Sequence, residues 1–226
     1  MCIAILNVKG LIPDTILEES WKNNKDGAGL CFVKENKLFF YKELDNLEKF
    51  IKVYKENRNN FPDSKFLIHF RIATSGRIDS NNCHPFFVNK NLGFIHNGKI
   101  GNLGDDNFSD TFFFNEILKK IPKKTNGFID PSWVPLIKYT IGNSKIVFLN
   151  SENKHLILGE QQGHWIKEDL HQSWFSNSSY KTKEKSTYTD WTAECFNCKI
   201  SNKSVRYVSN KRSYFCSNCL PYPRCK

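Results

Sequence analysis

The chain has 226 residues, of which 39% are hydrophobic and 25% charged, as in ordinary globular proteins. This length can bury a sizeable core and favours one large domain with room for a small appendage. No apolar run approaches the roughly 20 residues needed to span a bilayer, and the apolar start soon meets Asn7 and Lys9 without the features of a signal peptide. We therefore expect no membrane partner and a cytoplasmic protein with reduced thiols.

The net charge of +10 is concentrated near the end of the chain. Residues 181–226 carry ten Lys or Arg against three Asp or Glu, whereas the preceding 180 residues carry 23 against 20. A basic module of this kind is common where a protein contacts nucleic acid, but a solvated polar tail fits equally well. The Lys- and Asn-rich composition would also suit a viral or low-GC bacterial genome, and a viral protein would act in the host cytoplasm.

Strands and helices alternate in blocks along the first 160 residues. Apolar residues at helical spacing predict helices at Leu44–Tyr54 and Asp110–Ile121, the second capped by Ser109 and followed by Pro122. Asp130-Pro131-Ser132 can open a short third helix. Alternation and β-branched residues predict strands at Cys2–Val8, Gly29–Val33, Lys37–Tyr41, Phe66–Arg71, Pro85–Val88, Leu92–His96, Lys145–Leu149 and His155–Leu158. This order favours a layered α+β fold over a doubly wound parallel sheet.

A polar stretch at residues 181–194 indicates a linker, and two Cys-x-x-Cys pairs follow it in residues 195–226. The pairs are Cys195 with Cys198 and Cys216 with Cys219, separated by 17 residues. This spacing predicts a structural Zn²⁺ ribbon, because the ion takes four thiolates tetrahedrally at about 2.3 Å. The metal would supply folding energy that so short a tail cannot gain from a core. Two disulfides are the alternative, and Cys225 falls outside the pattern.

The predicted ribbon contains basic side chains beside aromatic rings, with the alternation of a short hairpin between the cysteine pairs. Such a surface can neutralise phosphates and stack on bases, so nucleic acid is a candidate partner. Protein docking and a simple folded cap are the alternatives. The residues concerned are Lys199, Lys203, Arg206, Lys211 and Arg212, with Tyr207, Tyr214 and Phe215.

A cysteine stands directly after the initiator methionine. On its own such a residue is more often a buried structural cysteine. If Met1 is removed, however, Cys2 offers a thiol and a free α-amine on one residue. That amine titrates near pH ~8 and can serve as the base for its own thiol, directly or through a water. The choice between the two interpretations depends on the rest of the chain.

Four downstream segments bear on that choice. In chain order they are His69-Phe70-Arg71-Ile72-Ala73-Thr74-Ser75-Gly76, Asn82-Cys83-His84-Pro85-Phe86, Phe94-Ile95-His96-Asn97-Gly98-Lys99-Ile100 and Ser109-Asp110-Thr111. They resemble the H-x-R-x-A-T-x-G, N-x-H-P, x-H-N-G-x-I and S-D-T elements of class II glutamine amidotransferases, over residues 2–180. The resemblance implies the four-layer αββα sandwich of N-terminal nucleophile hydrolases, with two antiparallel sheets between helical layers.

The resemblance also implies catalytic roles. Cys2 would attack the γ-carboxamide of L-glutamine and form a thioester, with the oxyanion held by the Asn97 side-chain amide and the Gly98 backbone N–H. From the residues alone, Asn-Gly between apolar residues first predicts a tight hairpin turn, and such a turn is compatible with an exposed N–H. His84 and His96 are expected to make structural hydrogen bonds rather than act as bases.

Substrate-binding roles follow in the same way. The resemblance implies that Arg71 binds the α-carboxylate of glutamine and Asp110 its α-ammonium group, which together form a trap for a zwitterion. Considered singly, Arg71 would be an ion-pair residue and Asp110 a helix-start residue favoured by the macrodipole. Thr74 and Ser75 would line the pocket.

Some residues depart from the family pattern. Asn23 and Asn24 stand where Arg-Gly would precede Asp26, and Ile3 follows Cys2 in place of the usual Gly. Residues 174–179 resemble a closing strand of these domains. The chain after residue 180 is too short for the synthase to which known members are fused. We therefore expect either a separate ammonia-accepting synthase subunit, with nucleotide or nucleic-acid modification as one outlet, or plain hydrolysis. The alternative is a weak or inactive protein of this fold that binds nucleic acid or protein through its ribbon.

Overall fold

The computed structural model describes residues 2–124, 127–168, 170–182, 193–199, 201–202, 206–208, 213–216 and 219. The chain divides into two compact units, Met1–Thr182 and Lys183–Lys226. The helices of the larger unit are α1 (Asp14–Asn23), α2 (Leu47–Asn60), α3 (Asp110–Lys120) and α4 (Val134–Ile141), with 3₁₀ turns at Pro131–Trp133 and Glu160–Gln162. Its strands are β1 (Ile3–Gly10), β2 (Ala28–Lys34), β3 (Lys37–Glu43), β4 (Phe66–Phe70), β5 (Phe86–Asn89), β6 (Leu92–Asn97), β7 (Lys145–Asn150), β8 (His155–Leu158), β9 (His164–Lys167) and β10 (His171–Phe175).

These strands form two antiparallel sheets. The first has the order β3-β2-β4-β1-β10-β9, and the second the order β5-β6-β7-β8. In the centre of the first sheet, Ile5 of β1 lies opposite Ile68 of β4 and Phe175 of β10. Every residue of β4 and β6 is buried, including the polar His69, His96 and Asn97. The predicted mixed α+β class is confirmed.

Three apolar clusters show the order of the layers. The outer face of the first sheet packs on α1 and α2, and the outer face of the second packs on α3 and α4. Between the sheets, residues of β1, β4 and β10 meet residues of β6 and β7; they include Leu6, Leu67, Trp174, Ile95 and Val147. The layers therefore run helix, sheet, sheet, helix.

Helix ends follow local capping. The predicted cap at Ser109 is confirmed, since its hydroxyl accepts a hydrogen bond from Phe112 N at 3.2 Å. The prediction that α2 starts at Leu44 is wrong by three residues, because Asn46 caps it by accepting from Lys49 N at 2.8 Å. The sequence analysis missed α1 altogether. Its short apolar face, centred on the fully buried Leu17, is interrupted by charged residues.

The smaller unit consists of two strand pairs in its described part. Strand β11 (Ala193–Glu194) pairs with β12 (Ser201–Asn202), and β13 (Arg206–Val208) pairs with β14 (Ser213–Phe215). The second pair confirms the predicted hairpin between the cysteine pairs. Of the predicted linker at 181–194, residues 183–192 lie outside the described residues. No helix in the described part of the chain is long and apolar enough to cross a bilayer.

Candidate active site

The candidate site lies where several chain ends of the larger unit converge. Cys2 immediately precedes β1, and Arg71 immediately follows β4, whose last residue pairs with the first of β1. Gly98 follows β6, and Asp110 begins α3. Together with Thr74 and Ser75, these four residues line a single cavity of about 30 Å³. Six of the seven residues predicted for catalysis and substrate binding are thus brought together, and Asn97 adjoins them at Gly98.

The Cys2 thiol is held by one neighbouring residue. Its Sγ donates to the carbonyl oxygen of Ile72 at 3.3 Å and accepts from the backbone N–H of Ile72 at 3.3 Å. Burial raises the pKa of the thiol, against a smaller lowering effect of the hydrogen bond from Ile72. The sulfur is therefore a neutral thiol at rest, and a base is needed to make it a nucleophile.

Gly98 occupies a backbone conformation that requires glycine. Its φ is +145°, and a Cβ at this position would lie 2.2 Å from Ser144 Oγ. The preceding Asn97 is 1% exposed, and its Nδ2 donates to Ser176 Oγ at 2.8 Å. The tight-hairpin interpretation of Asn97-Gly98 is wrong, because β6 pairs with β7, which begins only at Lys145. The dipeptide instead leads out of the sheet toward α3.

The guanidinium group of Arg71 is bound to its own loop. Nη1 donates to the carbonyl of Arg77 and Nη2 to the carbonyl of Ser75, each at 2.9 Å. The same loop is anchored at Ala73, whose N–H donates to Asp26 Oδ2 at 2.8 Å. Arg71 is 3% exposed and forms part of the cavity wall. The partners of its positive charge are carbonyl oxygens.

The Asp110 carboxylate is fixed at the start of α3. Oδ2 accepts from Ile100 N and Oδ1 from Thr111 N, both at 2.7 Å. The negative charge at a helix N-terminus is also favoured by the macrodipole, so the position predicted from the helix-start interpretation is correct. The residue before it is held by Asn82, whose Oδ1 accepts from Ser109 N at 2.7 Å. Because several donors fix this carboxylate, its position in the cavity is defined before any ligand binds.

Three buried histidines form a cluster, and two of them, His84 and His96, line the cavity. His69 Nε2 lies 3.0 Å from the carbonyl of His96, and the Nδ1 atoms of His69 and His84 are 3.2 Å apart. His96 Nδ1 lies 2.8 Å from the hydroxyl of Thr111. Burial lowers the pKa of His69 to about 3 and that of His96 to about 4, and it lowers the pKa of His84 as well. All three are neutral at physiological pH and suited to hydrogen bonding rather than to proton storage.

No known family profile matches the chain, and no curated protein matches it. Among solved structures it resembles glutamine phosphoribosylpyrophosphate amidotransferase from B. subtilis, complexed with ADP and GMP, with a TM-score of 0.50 and 14% sequence identity. The match covers 80% of this chain and 42% of that chain, so the present chain spans less than half the length of that protein. The matched part of this chain shares its fold with the matched part of that protein. At this identity the likeness shows the fold alone.

Several residues that hold the candidate site together were not predicted from the sequence. Asp26 and Asn82 were seen only as parts of motifs, although they anchor the loops at Ala73 and Ser109. Ser176 and Asn177 were seen only as part of a closing strand. Asp26 and Asn82 could have been predicted, because both belong to family motifs. No local signal links residues 176 and 177 to a site more than seventy residues away in sequence.

The four cysteines of the smaller unit lie together. Their sulfur atoms are all within 4.8 Å of one another, and those of Cys198 and Cys216 are 3.8 Å apart. A tetrahedral ion with bonds of about 2.3 Å requires sulfurs separated by about 3.8 Å, so the set fits one Zn²⁺-sized ion. Backbone N–H groups of Cys198 and Cys216 lower the pKa of Cys195 to about 6, which favours the thiolate that a metal binds. Cys219 completes the set.

The predicted nucleic-acid surface of the ribbon is described only in part. Phe215 is 6% exposed, so the prediction that its ring offers a stacking surface is wrong; among the ribbon side chains that the structure describes, the ring of Phe196 is exposed, at 60%. Lys199 lies over the Phe196 ring at 5.2 Å and within 3.6 Å of Glu194, which partly neutralises it. Lys203, Lys211 and Arg212 lie outside the described residues. Of Arg206, Tyr207 and Tyr214 the structure describes the backbone.

Proposed function

We propose that the larger unit is a class II glutamine amidotransferase domain that releases ammonia from L-glutamine with Cys2 as nucleophile. The observation that carries the proposal is the meeting of Cys2, Arg71, Gly98 and Asp110 around one cavity, although they come from four separate segments. A thiol, an exposed backbone N–H, a guanidinium and a carboxylate are the groups needed to cleave a neutral carboxamide on an amino acid.

The chemistry begins after removal of Met1. The freed α-amine of Cys2 takes the thiol proton, directly or through a water, and the sulfur attacks the γ-carbonyl carbon of glutamine. The Asn97 amide and the Gly98 N–H stabilise the oxyanion, an effect typically worth about 3 kcal/mol. The protonated α-amine then gives its proton to the amide nitrogen as the C–N bond breaks, and the nitrogen leaves as ammonia. Water attacks the resulting thioester, and glutamate leaves with the thiol restored.

Substrate recognition requires movement of the Arg71 loop. A cavity of about 30 Å³ holds roughly one water molecule, and glutamine is many times larger. The guanidinium can exchange the carbonyls of Ser75 and Arg77 for the α-carboxylate, which is a stronger, charge-assisted partner. Displacement of this loop, with Thr74 and Ser75 on it, would open the space for the substrate beside Asp110. After the exchange, Nη1 and Nη2 of Arg71 would donate to the substrate carboxylate instead.

We further propose that the ammonia passes to a separate synthase subunit in the cytoplasm. The match covers 42% of the comparison structure, and the smaller unit of this chain contains four cysteines that would hold a structural Zn²⁺ ion. One use of the ammonia that would involve the basic ribbon is the modification of a nucleotide or nucleic acid.

The test is glutamate formation from glutamine by the protein with a free Cys2 amine. Hydroxylamine added during turnover should divert the thioester to γ-glutamyl hydroxamate, which plain hydrolysis without an acyl intermediate cannot produce. Cys2→Ala should abolish both products. Cys83→Ser, which keeps a donor for the Ala28 carbonyl, is the matched control and should retain both.

A Cys2→Ala protein that hydrolyses glutamine at the wild-type rate would refute the proposal. A wild-type protein that is folded, has lost Met1 and still forms no glutamate or hydroxamate would refute it for the isolated chain. That second outcome would favour the alternative of an inactive protein of this fold. The observation that supports this alternative is that carbonyl groups of its own loop already bind the Arg71 guanidinium.

A further inference from the structure

The segment directly after β10 is hydrogen-bonded to both halves of the candidate site. The hydroxyl of Ser176, which is fully buried, accepts from Asn97 Nδ2 at 2.8 Å and from Ala4 N at 2.9 Å. The Ser176 backbone N–H in turn donates to the carbonyl of Ala4 at 2.9 Å. One side chain therefore joins the strand that follows the nucleophile to the amide predicted for the oxyanion hole.

The next residue holds the nucleophile itself. Asn177 Nδ2 donates to the carbonyl of Cys2 at 2.7 Å. Its Oδ1 accepts from Ser179 N at 2.9 Å, and the Ser179 carbonyl accepts from Asn23 Nδ2 at 3.0 Å. This chain of bonds runs back to the end of α1. Two adjacent residues after β10 thus bind the backbone of Cys2 and the side-chain amide of Asn97.

We propose that Ser176 is a positioning residue of the reaction, which acts by holding the Asn97 amide toward the oxyanion; this rests on the proposed function and deepens it. Cys2 immediately precedes β1 of the first sheet and Asn97 ends β6 of the second, so packing between two layers would otherwise set their separation. Both lone pairs of the Ser176 hydroxyl are taken by the N–H groups of Ala4 and Asn97. One Nδ2 proton of Asn97 is used in this way, and the other remains for the substrate oxygen.

The expected effect is on the chemical step. An oxyanion donor works only when its proton lies within a few tenths of an ångström of the position where charge develops. Without the Ser176 hydroxyl, the Asn97 amide can rotate about its last side-chain bond, because Asn97 Oδ1 has no hydrogen-bond partner in the described structure that would hold it. Glutamine binding, which depends on Arg71 and Asp110, would be little changed.

A double-mutant cycle tests this role. Ser176→Ala should lower kcat for glutamine by about 10- to 100-fold with KM within about twofold, and Asn97→Ala should lower kcat by about 100- to 1,000-fold. In the double variant the loss should equal that of Asn97→Ala alone, because Ser176 acts through Asn97. Losses that multiply would show a merely structural role and overturn the proposal.

The controls separate folding from positioning. Ser173→Ala removes another fully buried hydroxyl from β10, one that binds Asn7 and lies away from the site, and should leave kcat unchanged. If Ser176→Ala does not fold, Ser176→Cys keeps the size of the side chain with a weaker acceptor and should show an intermediate kcat. A folded Ser176→Cys with wild-type kcat would count against the proposal. If the wild-type protein forms no glutamate, the proposed function fails; if it does and the cycle is multiplicative, only the role of Ser176 fails.

Discussion

The sulfur of Cys2 lies 3.3 Å from both the backbone nitrogen and the carbonyl oxygen of Ile72. The residue that follows Arg71 therefore orients the thiol, because the carbonyl can only accept the thiol proton and the N–H can only point at a sulfur lone pair. Burial raises the pKa of this thiol, so the orientation by itself does not generate a thiolate. The base must come from elsewhere, and the α-amine of the same residue is the proposed source.

Blocking the α-amine should abolish activity while the thiol remains. A variant with one alanine inserted before Cys2 would keep an alanine there after loss of the initiator methionine. We expect glutamate formation to fall by at least about 10³-fold, since the base is lost and the chain must find room for an extra residue. Intact mass defines the N-terminus of each protein. The insertion variant should unfold at nearly the same temperature as the wild type, and undiminished turnover by it would exclude the amine as base.

Neutralising Asp110 should weaken glutamine binding more than it slows chemistry. Asp110→Asn keeps the size of the side chain and one acceptor for the N–H groups of Ile100 or Thr111, but it loses the charge that would bind the α-ammonium group. We expect KM for glutamine to rise about 10- to 100-fold with a smaller change in kcat. Asp106→Asn, an exposed carboxylate in the preceding loop, should leave both constants unchanged. Equal KM values for the two variants would contradict the binding role.

Gly98 should not tolerate a side chain. Gly98→Ala places a Cβ 2.2 Å from Ser144 Oγ at a φ of +145°, so both clash and backbone strain destabilise the protein. We expect the free energy of unfolding in urea to fall by about 2 kcal/mol or more, with loss of glutamine hydrolysis. Gly101→Ala is the matched control, because its φ is also positive (+51°) but nothing lies within 4 Å of the added Cβ. A Gly98→Ala protein as stable as Gly101→Ala would show that the close approach to Ser144 is absent.

Stability should fall as the pH drops from 7 to 5. The buried His69, His84 and His96 are neutral in the folded protein, whereas in the unfolded chain they bind protons below a pKa of about 6.5. The unfolded state then holds more protons, so each imidazole lowers the free energy of unfolding by up to about 1.4 kcal/mol per pH unit below that value. Urea unfolding at several pH values measures the slope. His84→Gln should make it shallower by about one proton, and an unaltered slope would contradict the burial of this imidazole.

One zinc ion per chain should bind to the ribbon. The four sulfurs of Cys195, Cys198, Cys216 and Cys219 match the edge length of a tetrahedral site, so replacement of any one should lower the zinc content sharply. Elemental analysis of purified Cys219→Ser against the wild type is the direct measurement. Cys225→Ser, outside the pattern, is the control and should keep the metal. Retention of a full equivalent by Cys219→Ser would show that another ligand set is used.

Much of the candidate site could be predicted from the sequence alone. The residues around the cavity sit in short contiguous motifs, and strands such as β4 and β6 are recognisable from alternation and β-branched residues. The cap at Ser109 and the spacing of the cysteine pairs are equally local. Such features depend on neighbours within a few positions of the chain, which is why they could be predicted. The helix α1 was missed because its buried face is small and its other residues are polar.

Tertiary structure decided what holds these residues in place. Nothing in the local pattern pairs Asn97 with Ser176, Cys2 with Asn177, or Ala73 with Asp26, because each pair is brought together by strand order and by the packing of one sheet on the other. Tertiary contacts also determine that the Arg71 guanidinium donates hydrogen bonds to carbonyls of its own loop. They likewise determine that Phe215 is buried while Phe196 is exposed. A sequence specifies the chemical groups, but their distances arise from contacts between residues far apart in the chain, and those exist only once the layers have packed.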